Sequence, residues 1–218
     1  MKRNVVKAVV LCGLIGALAV GGTTAYLTDW GDATNTFTVG KVDIDLEEPN
    51  WKPEEHDKIQ PSEEMKKDPT VENVGVNSAY TYIEVSIPIK NVTTVQPDGT
   101  RNAKGNTEMF SFTADKSWTK LSNKQVGSDM VYLYTYNQAL AAGAKTTPLF
   151  QTITMANIIE GELDLQELNV GVRAYGIQEL NTDDNGASFT QKATAAWNKY
   201  ATQNKDQAGA GQSLTGKI

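Results

Sequence analysis

The sequence predicts an all-β protein, an antiparallel β-sandwich of two sheets with one short C-terminal helix. Three observations predict it. Apolar residues alternate with a period of two in separate stretches, most plainly Ile83, Val85, Ile87 and Ile89, and again Leu168, Val170, Val172 and Ala174. A strand turns successive side chains to opposite faces, so this period marks strands with an apolar face turned inward. Turn-forming sequence such as QPDGT at 96–100 separates the stretches. Helical spacing of apolar residues is confined to the end of the chain, where Phe189, Ala193, Ala196, Trp197 and Tyr200 fall on one stripe. About seven short strands with little helix form two stacked sheets, and the period leaves both immunoglobulin-like and jelly-roll strand orders open.

Taken in order, the chain begins with Lys2, Arg3 and Lys7, followed by an apolar run from Ala8 to Val20. That run is about 13 residues, short of the roughly 20 that a membrane-crossing helix needs and suited to a secretory signal. Thr23 and Ala25 are small residues at the −3 and −1 positions of a cut between Ala25 and Tyr26. Four parts are expected: a signal peptide at 1–25, an extended segment at 26–40, a sandwich domain at 41–203 and a mobile tail at 204–218. Phe37 and Val39 alternate, and Val42, Ile44 and Leu46 resume on the opposite parity after Gly40-Lys41, which signals a bulge or kink. Pro49, Pro53, Pro61 and Pro69 make 47–69 a connection.

In the stretch from Ala79, the Ile83 face is apolar and Tyr80, Tyr82, Glu84 and Ser86 share the other, a half-buried strand with Pro88 late on its outer face. Residues 101–107 read as loop. Phe110 and Phe112 follow, then Val131 and Leu133 set against Tyr132, Tyr134 and Tyr136, a strand with both faces partly covered. The Ala-rich 138–150 stretch suggests one helical turn or a loop, and Ile153 and Met155 a short strand. After the Leu168 strand, NTDDNG at 181–186 breaks the pattern before the helix.

A length of 218 residues supports one sizeable domain. Removing residues 1–25 takes away three basic side chains and no acidic one, leaving 17 basic against 26 acidic. Such a surface repels phosphate backbones, which argues against nucleic-acid binding. The one cysteine, Cys12, lies in the signal, with Leu11 before it where a lipoprotein cut would need a small residue. The trimmed chain therefore has no disulfide, and its core, an ion or its neighbours must hold it.

Little chemistry is visible. His56, the one histidine, sits in the proline-rich connection, and no H-E-x-x-H pair is present to place two zinc ligands on a helical face. Asp43, Asp45, Glu47 and Glu48 could meet a hard cation, but they lack the spaced ligands and glycine of an EF-hand loop, and a solvated charged face explains them better. The Asp183 and Asp184 stretch reads as a turn. Neither a phosphate-cradling glycine loop nor a G-x-S-x-G elbow appears. The expectation is no enzyme, no metal and no cofactor. Tyr80, Tyr82, Tyr132, Tyr134 and Tyr136 could line a carbohydrate or protein surface, or form ordinary cross-strand pairs.

GGTTAYLTD at 21–29 and NTFTVGKVDIDLEEPNW at 35–51 resemble the start of the TasA/camelysin family of secreted bacterial proteins. KIQPSEEMKKDPTVENVG at 58–75, AYTYIEVSI at 79–87 and LDLQELNVGVRAYGIQ at 163–178 are similar to its later strands, while 90–160 carries no matching motif. The resemblance implies a jelly-roll sandwich, a signal removed by a signal peptidase of the SipW type, and assembly into extracellular biofilm matrix fibres. In that assembly a freed segment, here about Tyr26–Val39, adds as a strand to the next copy. Some members are described as metalloproteases, and this sequence has no recognisable zinc signature.

The residues support the assembly reading independently. A segment with Tyr26, Leu27, Thr28, Trp30, Phe37 and Val39 is apolar and Thr-rich, suited to an extended chain that inserts beside an open sheet edge. Burying roughly 400 Å² of apolar surface contributes on the order of 10 kcal/mol before association costs. Head-to-tail addition does not close on itself and yields a filament. The expected partners are copies of this chain and the signal peptidase, with membrane contact through the uncleaved signal alone. The rival readings are a monomeric surface adhesin or carbohydrate-binding module, and a camelysin-like metalloprotease.

Overall fold

The computed structural model describes residues 42–52, 59–163, 166–179, 188–205 and 212–218. The signal, the leading segment, the Gly40-Lys41 break and His56 lie outside them. In chain order the elements are β1 (Ile44–Glu47), β2 (Glu64–Lys66), β3 (Thr70–Asn73), β4 (Ala79–Val92), β5 (Gly105–Glu108) and β6 (Phe110–Ser111). They continue with β7 (Trp118–Val126), β8 (Asp129–Tyr136), β9 (Thr152–Met155), β10 (Gly171–Gln178) and α1 (Phe189–Gln203). The protein is all-β with one C-terminal helix, and every strand pairing is antiparallel. Among the described residues no helix is long and apolar enough to cross a membrane.

The first sheet runs β10-β4-β8-β7, with β5 added at the far end of β4. β7 and β8 are joined through Gly127-Ser128; Gly127 has φ +62°, the left-handed conformation that a two-residue hairpin turn requires. Pro88, which has no N–H to donate, sits two residues beyond Ser86, where the β10 ladder begins, and just before Ile89, where β5 takes over. The second sheet runs β2-β9-β6, with β1 and β3 paired beside it. Backbone bonds from Lys67 to Gln151 (3.1 Å), Leu149 to Pro69 (2.9 Å) and Thr146 to Val71 (2.9 Å) carry pairing from β2 through Pro69 into β3. Residues 64–73 thus lie along 144–155.

Between the sheets Ile83, Val85 and Ile87 pack with Met65, Val71, Phe150 and Ile153, all essentially without solvent contact. β4 departs from the half-buried expectation: its opposite face is covered too. Tyr80, Tyr82, Leu133, Tyr175 and Ile177 form a second core with Ala193, Ala196 and Trp197 of α1. The helix starts where Ser188 caps the Gln191 N–H while the Gln191 side chain caps the Ser188 N–H, a reciprocal pair that satisfies two orphan donors. Ala193, Ala196 and Ala201 are small enough to let it approach the sheet, and Tyr82 donates to the Ala193 carbonyl at 2.7 Å.

Three further expectations are corrected, and of the two readings of 138–150 the loop is the one that forms, with Leu140 and Lys145 bridging to Ala79 and Glu72. The 47–69 connection contains β2, because Met65 is drawn into the core beside Ile153. The 101–107 loop gives way to β5, paired to the end of β4. The tail is not mobile throughout: Thr215 has no solvent exposure, because Gln212–Ile218 is bonded onto the outer face of the first sheet. β7 was absent from the predicted strands because it is a polar edge, WTKLSNKQV, recruited by β8 and interrupted by a register shift between Lys120 and Ser122.

Candidate functional site

The signal-cut residues Ala25 and Tyr26, and the assembly residues Tyr26, Leu27, Thr28, Trp30, Phe37 and Val39, lie outside the described residues. What the described domain offers them can be read from its surfaces.

Of the four carboxylates after Val42, Glu47 and Glu48 are paired with lysines. Lys145 Nζ lies 2.8 Å from Glu47 and 3.0 Å from Glu72, and Lys67 Nζ lies 2.7 Å from Glu48. Hydrogen bonds to Glu47 and Glu72 push the Lys145 ammonium above its ordinary range. Among the described residues no group of three or more His, Cys, Asp or Glu side chains could hold a metal ion. A zinc hydrolase centre, which needs three such ligands and an open position, does not fit these residues.

The tyrosines do not form an exposed binding face. Tyr80 and Tyr82 lie beneath α1, and Tyr134 and Tyr136 point between the sheets. Tyr132 is half-buried and donates to Glu108 at 2.7 Å; burial first, and the Glu108 bond second, push its phenol up. They are cross-strand core residues.

On the helix side of the first sheet, Glu84 is a buried acid that sequence reading passed over. It accepts from Tyr175 Oη (2.7 Å), the Leu214 N–H (2.9 Å) and the Thr215 N–H (2.7 Å), and also from the Thr215 hydroxyl. Lys124 donates to the Thr215 carbonyl, Trp197 Nε1 to the Gly216 carbonyl at 2.9 Å, and the Ile218 N–H to Asn198 at 2.8 Å. Rings stack around this socket, Trp197 lying 5.1 Å from Tyr82 and 5.2 Å from Tyr175. The signal for it was a glutamate in an otherwise buriable strand, opposite Arg173.

β1 pairs with β3 and stops at Glu47, and among the described residues β2 pairs with β9 alone. Beyond β1 the chain stays beside residues 67–68, Asn50 donating to Asp68 from both its backbone and its side chain. A cavity of about 270 Å³ there is lined by the buried Met65, Phe110 and Ile153 and by Trp51, Ile59, Leu168 and Val170. Lys67 stands in its wall, with its ammonium 4.4 Å from the centre of the Trp51 ring. Behind it Glu48 Oε1 is buried with no hydrogen-bond partner among the described residues.

At the other end of β1, a Cβ placed on Gly176 would lie 2.7 Å from Ile44 Cγ2 and 3.0 Å from Val42 Cγ1. Glycine there lets β1 close the sandwich onto β10.

No curated protein matches the chain. A family model does: that of the camelysin metallo-endopeptidases matches residues 1–132, more than half of the sequence, and so reaches from the first residue through the strands from β1 into β8. The chain belongs to the camelysin metallo-endopeptidase family, the TasA/camelysin family its opening residues resemble.

Proposed function

We propose that this protein is a secreted structural component that polymerises into extracellular matrix fibres, each copy lending its freed N-terminal segment as a strand to the next. One observation carries the reading: small residues at Thr23 and Ala25, the pattern that a signal peptidase accepts, are followed directly by a Thr-rich segment with apolar side chains, Tyr26–Val39, joined to a β domain. Such a segment is stable in water only when covered, and an open sheet edge offers both backbone partners and apolar area. Release from the signal by a SipW-type peptidase licenses assembly in this reading. Family membership supports it.

Electron microscopy of purified chain 26–218 tests it. Filaments are expected, and chain lacking Tyr26–Val39 is expected to stay monomeric. Monomers from the trimmed chain at every pH and concentration, with no effect of that deletion, would overturn the reading. A second reading, a secreted metallo-endopeptidase, has the family's name in its favour. Casein hydrolysis abolished by a chelator would establish it, and its absence at high enzyme concentration would remove it.

A further inference from the structure

The outer face of the first sheet, where Gln212–Ile218 lies against α1, is built as a receptor for a peptide is built. We infer that this groove is a peptide-binding site, that its ligand is the sequence Gln212–Ile218, and that the segment is a separable strap whose docking completes the helix-side core, whether or not copies of the chain polymerise.

The contacts run from side chains of the domain to the main chain of the segment. Glu84 of β4 accepts from the Leu214 and Thr215 N–H groups at 2.9 and 2.7 Å, and Lys124 of β7 donates to the Thr215 carbonyl. From α1, Trp197 Nε1 donates to the Gly216 carbonyl at 2.9 Å and Asn198 accepts from the Ile218 N–H at 2.8 Å. Three elements thus grip successive main-chain groups, and no described strand pairs with the segment as a ladder. Grooves hold peptide ligands in this way: bonds to the main chain supply affinity, and pockets for side chains choose the sequence.

The choice of sequence is visible as well. The Thr215 side chain has no solvent exposure and its hydroxyl donates to Glu84, a bond that valine lacks. Gly216 takes φ +63°, which a β-branched residue reaches only with strain. Its N–H donates to Ser213 Oγ at 2.9 Å, so part of the bound shape is made within the segment itself. Ile218 packs against the core formed by Tyr80, Tyr82 and Trp197.

Separability follows from how the two cores are divided. The inter-sheet core around Ile83, Val85, Ile87 and Phe150 takes no side chain from the segment, and the helix-side core takes only Ile218 from its apolar residues. Glu84 is what depends on it. Of the four hydrogen bonds described for that carboxylate, three come from Leu214 and Thr215, and Tyr175 gives the fourth. An acid only 1% exposed is too costly to leave with one donor, so until the segment docks Glu84 keeps its water and the groove stays open. In chain order residues 212–218 follow every strand and α1, so the helix-side core closes after the sandwich beneath it has everything it needs.

Chain 26–218 carrying a specific protease site within 206–211 tests the assignment. After the folded protein is cut, a synthetic 212–218 peptide labelled at its Gln212 end is expected to bind saturably and replace the native segment, while amide exchange in the inter-sheet strands is unchanged. Unlabelled peptide should compete. Peptides carrying Thr215→Val or Gly216→Val should compete at least about tenfold more weakly, the first for a lost bond to a charged acceptor and the second for backbone strain. Equal competition by both altered peptides would overturn the inference. So would failure of the labelled peptide to bind at millimolar concentration. A segment that exchanges only when the inter-sheet strands unfold with it would show an integral part of the domain instead of a ligand, and would also overturn it.

Discussion

The socket around Glu84 and the cavity beside β2 are built from the same materials, aromatic rings around one buried ionisable side chain, and they are finished differently. In the socket the chain returns from 130 residues away to supply two backbone N–H groups and a hydroxyl to Glu84, and the face is sealed by α1 and Gln212–Ile218. Around the cavity Lys67 has Glu48 and the Trp51 ring, and core side chains are part of the lining. A buried acid is tolerated when every lone pair meets a donor, so the socket secures the domain. At the cavity, by contrast, the residues around the core are only half-buried, so a polar substitution there meets water instead of stranding a partner. Mutations should therefore separate the two: damage to the socket should appear in folding, and substitution at the half-exposed rim of the cavity should leave folding nearly unchanged.

The sharpest way to break the comparison is Glu84→Ala. It strands the Leu214 and Thr215 N–H groups and the Tyr175 hydroxyl together, with an expected loss of about 3–5 kcal/mol. Denaturant unfolding measures the loss, and amide exchange should show the 212–218 protection gone first. Trp197→Ala, at a residue with no exposure and rings of Tyr82, Tyr175 and Tyr200 around it, should cost a comparable amount, about 3–5 kcal/mol. If either variant melts normally, that separation is wrong.

Next in size is Gly176→Val. Its side chain would meet Ile44 and Val42 where β1 closes on β10, and overpacking of this kind costs about 1–3 kcal/mol. Because it loosens the strand that the leading segment joins, it should lower both the melting temperature and the filament yield, the one variant expected to move both. At the rim of the cavity, Leu168→Arg should change the denaturant unfolding free energy by less than about 1 kcal/mol, because the side chain is half-exposed.

The smallest effect belongs to the ion pairs that fasten β1. Lys145 has its ammonium pKa raised by Glu47 and Glu72, so its contribution is complete below the unfolded-state lysine value and is lost as pH rises through the higher folded value. Lys145→Met should abolish that alkaline loss, and added salt should reduce the difference from wild type, since the group is exposed. A melting series between neutral and strongly alkaline pH checks both.

Much of this architecture was legible in the residues. The period-two stretch at β4, the QPDGT turn and the apolar stripe of α1 are local patterns, and each appears where the pattern places it, while the stretch from Leu168 becomes strand only at Gly171, as β10, and runs on to Gln178. Gln96 and Thr100 close that turn with a 2.8 Å bond, and Gly99 takes the positive φ of 84° that such a turn asks for. β7 was not legible, because an edge strand owes its conformation to the neighbour that pairs with it and carries little apolar period of its own. The docked tail was not legible either: Gly, Gln and Ser composition describes how freely a segment moves alone, and Thr215 is held by a glutamate far away in sequence.

By itself, then, the sequence determined which segments extend, which one coils into a helix and where the chain turns. Only the tertiary structure decided that the Tyr80 and Tyr82 face is roofed by α1, that Glu84 is buried and satisfied, and that core side chains of β2 and β9 border a cavity. The physical reason is range. Backbone conformation responds to neighbours a few residues away, while burial, and the partner a buried polar group finds, depend on segments brought together from opposite ends of the chain.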